Sequence, residues 1–98
     1  MEYIRYTYKI RRKTDNKYWR TPPPTEVRRQ IHRGRQLDYW KSEKYADKFD
    51  TIQDAADQMR TNDILQNVDA EIVPFEVMTV ITVFECEPIQ LNDVELQG

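Results

Sequence analysis

Four arginines, Arg28, Arg29, Arg33 and Arg35, crowd into one short stretch around His32 and Gly34. Guanidinium groups in that density suit phosphate, which they can bind bidentately. Arg11, Arg12 and Lys13 form a second basic cluster, and Trp19 follows closely enough to stack on a base. Arg11, Arg12, Lys13, Arg28, Arg29, Arg33, Arg35 and Trp19 are therefore the candidate residues for an anionic partner. The competing reading is a solvated face whose charges meet acids elsewhere in the chain. The net charge of −2 also weighs against nucleic acid, whose binding domains are usually basic.

Asp50, Asp54, Asp57 and Asp63 are the candidates for the opposite kind of surface. Acids in such number can imitate a phosphate backbone and occupy a basic groove, or simply keep a helix in water. The two groups reflect a charge split along the chain. Residues 1–48 carry 14 of the 15 Lys and Arg but only 6 of the 17 acids, a balance of +8. Residues 49–98 carry one Arg and 11 acids, a balance of −10. Such asymmetry points to a basic surface for an anionic partner, an acidic surface for a basic one, or two halves that neutralise each other on folding.

Catalytic chemistry finds little support. His32 sits beside Arg29 and Arg33, a poor setting for a general base. Cys86 lies between Glu85 and Glu87, where like charge disfavours the thiolate. One Cys and one His do not build a zinc site, no calcium-loop pattern occurs, and two glycines cannot make a phosphate-cradling loop. No catalytic residue, metal ligand or cofactor is assigned, and a non-enzymatic protein is expected.

The elements that position these residues are legible in part. Ile4, Tyr6, Tyr8 and Ile10 alternate with Arg5, Thr7, Lys9 and Arg11, which predicts a strand with the first set buried. A hairpin turn at Thr14–Lys17 leads to a second strand at Tyr18-Trp19, because Asp15 and Asn16 tolerate left-handed backbone. Pro22-Pro23-Pro24 ends that strand. Thr25 is then expected to cap a short helix reaching Arg33 and closed by Gly34. A third strand is expected around Leu37–Lys41.

Thr51-Ile52-Gln53-Asp54 resembles a capping box with Asp in place of Glu. It opens a helix from Ile52 to about Asn62, with Ile52, Ala55, Ala56 and Met59 on one face. Ala70 to Glu87 reads as the longest strand, with a break expected at Pro74. Between Val77 and Phe84 both of its faces are apolar or Thr, which suggests cover on both sides. Self-association through Met78, Val80 and Phe84 is one way to supply it, making a homodimer.

The whole chain is expected to be one α+β domain: a small antiparallel β-sheet of three to five strands with one main α-helix packed on it. Its expected core is Ile4, Tyr6, Tyr8, Ile10, Ile52, Ala55, Met59, Phe75, Val77, Ile81 and Val83. Residues 92–98 are expected to form a flexible C-terminal tail. The single cysteine fits a reducing compartment. Met1-Glu2-Tyr3-Ile4-Arg5 lacks the apolar run of a signal peptide, and no stretch is long enough to span a bilayer. A cytoplasmic protein without membrane contact is expected.

The order Tyr8-Lys9-Ile10-Arg11, Asp15-Asn16-Lys17-Tyr18, Trp40, Tyr45–Ala56 and Ile72-Val73-Pro74-Phe75-Glu76-Val77 resembles a broad set of small bacteriophage and prophage accessory proteins of unassigned function. The resemblance implies a small antiparallel sheet crossed by one helix, and a protein that acts by binding a host macromolecule. The Pro- and Arg-rich stretch 21–36 departs from that pattern, and no site residue carries over. Two functions are expected on these grounds. The first is a modulator or inhibitor that binds a host protein in a bacterial cytoplasm. The second is a nucleic-acid-binding module that uses the basic N-terminal half.

Overall fold

The computed structural model describes residues 5–77 and 83–95. Strand β1 spans Arg5–Arg12 and pairs antiparallel with β2, Tyr18–Trp19. The turn between them closes through a bond from the Arg12 amide to the Lys17 carbonyl at 2.7 Å. Asn16 adopts φ 59°, the left-handed geometry that Asn accepts more readily than most residues. Helix α1 runs Pro24–His32, and β3, Trp40–Lys41, pairs with β2. A 3-10 turn at Glu43–Tyr45 precedes α2, Ile52–Thr61. Strand β4, Ala70–Val77, lies beside β1 along its full length. Strands β5, Val83–Glu85, and β6, Ile89–Gln90, both pair with the far side of β4. The sheet order is β3-β2-β1-β4-β5, with β6 beside β5 against β4.

The fold is thus α+β with an antiparallel sheet, as expected, and six strands form it among the described residues where three to five were expected. Of the additional strands, β5 arises inside the stretch expected to be one long strand, and β6 lies just beyond it. Val77 pairs with Val83 and Glu76 with Phe84, so β4 and β5 are antiparallel neighbours. Val77–Phe84 is therefore not one continuous strand. Met78, Val80 and Ile81 lie outside the described residues, as does Ile4.

No break occurs at Pro74. Tyr8 stands opposite it, but the Tyr8 amide and carbonyl both turn the other way, to Phe49, at 2.9 and 2.8 Å. Tyr8 and Pro74 therefore form a non-hydrogen-bonded pair. The Pro74 carbonyl faces the gap between β5 and β6, where it accepts from the Cys86 amide at 2.8 Å. A proline is tolerated here because no ladder bond is required of its nitrogen.

α2 starts as its sequence implies. Thr51 has extended backbone, and its Oγ1 accepts from the Asp54 amide at 3.0 Å. The helix ends at Thr61. Asn62 then turns the chain by accepting from the amides of Ile64 and Leu65, at 2.9 and 3.2 Å. Ala55, Ala56 and Met59 pack on one face of the sheet against Ile10, Trp19, Leu65 and Ile72. Tyr8, Phe49 and Ile52 border that core half-buried.

Two members of the expected core are corrected. Tyr6 is 46% exposed, and Val83 is exposed as well. A ten-residue helix is about 15 Å long, while an eight-residue strand extends about 27 Å. α2 cannot cover the whole length of β1 and β4, so Tyr6 and Phe84 lie beyond it. The opposite face of β1 is not simply solvated. Thr7 and Lys9 are buried there, beside Tyr18, Ala46, Val73 and Phe75. Within the region expected to be a tail, Val94 packs on the main core. Arg60 Nη2 donates to the carbonyls of Leu91 and Val94.

Candidate basic interaction surface

The structure divides the candidate basic residues into two classes. Arg11, Arg12 and Lys13 are engaged within the protein. Arg11 lies across from Glu71 in the β1–β4 register. Its Nε and Nη2 donate to Glu71 Oε2 at 3.0 and 2.8 Å, and its Nη1 donates to Glu85 Oε1 at 3.0 Å. Tyr18 donates its hydroxyl to the same Glu85 oxygen at 3.1 Å, and Gln90 Nε2 donates to Glu71 Oε1 at 3.1 Å. Burial pushes the Glu71 carboxyl up, but the bonds from Arg11 and Gln90 outweigh it and leave the group below its ordinary value. Burial pushes the Tyr18 hydroxyl up.

Arg12 holds Asp15 through two bonds, at 3.0 and 2.5 Å, and its guanidinium lies 4.6 Å from the centre of the Trp40 ring. Lys13 Nζ pairs with Asp69 at 3.3 Å. The Arg11 and Lys13 pairs join the basic N-terminal half to the acidic C-terminal half. Mutual neutralisation is therefore one real consequence of the charge split.

Trp19 is corrected as a base-stacking residue. It is 1% exposed, stacked on Tyr39 at 5.3 Å and edge-on to Trp40 at 5.7 Å. An indole enclosed in this way has no free face. The sequence signal, a Trp near arginines, is equally that of a core aromatic.

Arg28, Arg29, Arg33 and Arg35 form the second class. All four are exposed, and none makes an ion pair among the described residues. They sit on or just beyond α1, which buries none of its own residues. Pro24 opens that helix at its first position, where its fixed φ fits and no amide is needed. Pro23 is the N-cap residue, and Thr25 lies inside the helix rather than capping it.

The far end follows the expected closure. Gly34 adopts φ 66°. Its amide donates to the Ile31 carbonyl at 3.1 Å, and the Arg35 amide donates to the Gln30 carbonyl at 2.8 Å. This is the Schellman arrangement, which needs left-handed backbone at the glycine. It fixes the backbone from which Arg33 and Arg35 project.

α1 is tethered by few contacts. Arg20 Nη2 donates to Glu26 at 2.5 Å and to the Asp38 carbonyl at 3.3 Å. Thr21 donates from its amide and hydroxyl to Asp47 Oδ2, at 3.0 and 2.6 Å. Val27 is only half-buried. Ile31 is 68% exposed among the arginines.

Asp50, Asp54, Asp57 and Asp63 are all exposed around α2. Asp57 Oδ1 accepts from Gln53 at 3.2 Å, and none of the four makes an ion pair among the described residues. Asp54 lies in the first turn, where the helix dipole favours an acid. Of the residues named for self-association, Phe84 is 52% exposed on β5; Met78 and Val80 lie outside the description. No helix among the described residues is long and apolar enough to cross a membrane. No family model, curated protein or solved structure matches this chain.

Proposed function

We propose that this is a non-enzymatic interaction protein that docks α1 into an acidic groove of a partner protein, with Ile31 filling an apolar pocket there. One observation carries the reading. Ile31 is 68% exposed among arginines that make no ion pair among the described residues, while Arg11, Arg12 and Lys13 are engaged within the fold. A helix that offers one apolar anchor among cations suits a groove of mixed apolar and acidic character. The resemblance to small phage accessory proteins supports a bacterial host protein as partner, modulation or inhibition as outcome, and the host cytoplasm as location.

Nucleic acid is the second reading, supported by the same four exposed guanidinium groups. The enclosure of Trp19 weakens it, since stacking is no longer offered. Capture from a bacterial lysate, with and without nuclease, tests the two. The wild type is compared with Ile31→Glu and with a variant in which Arg28, Arg29, Arg33 and Arg35 are all Ala. A nuclease-resistant protein lost in both variants supports the first reading. Capture that nuclease abolishes and Ile31→Glu spares supports the second. Capture that neither variant changes removes α1 from the function.

A further inference from the structure

We propose that a cleft on the sheet face opposite α2 binds a small organic phosphate. The cleft holds about 320 Å³ between β1, the Glu43–Tyr45 turn and the facing ends of β4 and β5. Arg5, Thr7 and Lys9 line it from alternate positions of β1, so all three project to one face. Lys44 and Lys48 close the other side. Four cations thus meet a single carboxylate, Glu43, among the described lining residues.

The floor of the cleft is a built feature. Lys9 is 4% exposed, and its ammonium lies 4.5 Å from the centre of the Phe75 ring. A buried ammonium requires a counter-anion. Glu43 supplies it through Oε1, and its backbone carbonyl accepts from the same Nζ at 3.4 Å. The Glu43 side chain is half exposed, so it can leave toward water while a ligand oxygen takes its place.

The remaining charge points to an external anion. Arg5, Lys44 and Lys48 form no ion pair among the described residues. Lys44 rests over the Tyr45 ring, 4.9 Å from its centre. A carboxylate carries less charge than a phosphate monoester, which matches this excess better. The Thr7 hydroxyl adds a neutral donor. Val77 and Val83, paired across β4 and β5, give the cleft an apolar wall. The volume falls in the range of small-ligand sites, and the apolar wall favours a phosphate carrying an organic group over the bare ion.

Calorimetry on the full chain at low ionic strength tests this, with phenyl phosphate and inorganic phosphate as probes. Phenyl phosphate is expected to bind more tightly than inorganic phosphate. Glu43→Gln removes the internal competitor and is expected to tighten phenyl phosphate binding up to roughly fivefold, the scale of one solvent-screened charge pair. The double change Lys44→Ala, Lys48→Ala is expected to weaken it by a similar factor. Changing Arg28, Arg29, Arg33 and Arg35 to Ala is expected to leave it unchanged, which separates this site from α1. No binding of phenyl phosphate at millimolar concentration overturns the proposal. So do equal binding of the two probes, weakening by Glu43→Gln, or loss of binding in the α1 variant.

Discussion

Tyr8 faces Pro74 across the two central strands, and neither residue asks the other for a backbone hydrogen bond. Tyr8 gives both of its backbone groups to Phe49, and the Pro74 carbonyl accepts from Cys86. This one relationship lets β4 run unbroken from Ala70 to Val77 through a proline. It also ties the segment entering α2 to the sheet, because Phe49 lies just before the Thr51 cap.

The two sides of that pair are expected to respond differently to substitution. Pro74→Ala meets no lost bond and is expected to change stability by less than about 1 kcal/mol. Tyr8→Pro loses the amide bond to Phe49 within a central strand and is expected to cost about 3 kcal/mol or more. Urea unfolding of both variants measures this. A larger loss from Pro74→Ala than from Tyr8→Pro would refute the register.

Thr51→Ala is expected to destabilise the protein by about 1 kcal/mol, the usual effect of losing an N-cap acceptor. The bond at stake is the one from the Asp54 amide to Thr51 Oγ1. Thr25→Ala is expected to cost far less, since Thr25 lies within α1 and caps nothing. Equal losses at the two positions in thermal unfolding would contradict these helix starts.

The contrast between Trp19 and Tyr6 tests where the core ends. Trp19→Ala is expected to cost about 3–5 kcal/mol, as for a large aromatic removed from a core. Tyr6→Ala is expected to cost much less, because Tyr6 projects beyond the reach of α2. Chemical denaturation gives both values, and comparable losses would mean that something else covers Tyr6.

Asp15 sets a prediction for acid. Its bonds from Arg12, the main cause, and from the Lys17 amide hold its carboxyl down at about 2, from an ordinary 3.8. A depressed carboxyl contributes stability that is fully present above its unfolded value and is lost as pH falls through its folded one. The Tm is therefore expected to lose this contribution between about pH 4 and pH 2. Asp15→Asn is expected to flatten that part of the profile. Because the pair is on the surface, salt is expected to shrink the difference. An unchanged acid profile in Asp15→Asn would show that the pair contributes nothing.

Local chemistry made several elements readable from the residues alone. Alternation marked β1, Asp15-Asn16 marked the first turn, Thr51 marked the start of α2, and Gly34 marked the end of α1. Each depends on a few neighbouring residues whose backbone preferences do not need the rest of the chain. The class of the fold followed from those elements.

What the tertiary structure alone decided was which of equivalent residues are spent and which are free. Composition made Arg11 and Arg28 alike. Only the β1–β4 register puts Glu71 opposite Arg11, and no strand among the described residues brings an acid to Arg28. Composition likewise made Trp19 an available stacking surface, until the return of the chain at Tyr39-Trp40 enclosed it. Parity along β1 predicted a buried Tyr6 and an exposed Lys9, yet the order is reversed. Alternation assigns a side chain to a face, but burial depends on what arrives over that face. α2 is too short to reach Tyr6, while Phe75 and Glu43, distant in sequence, close over Lys9.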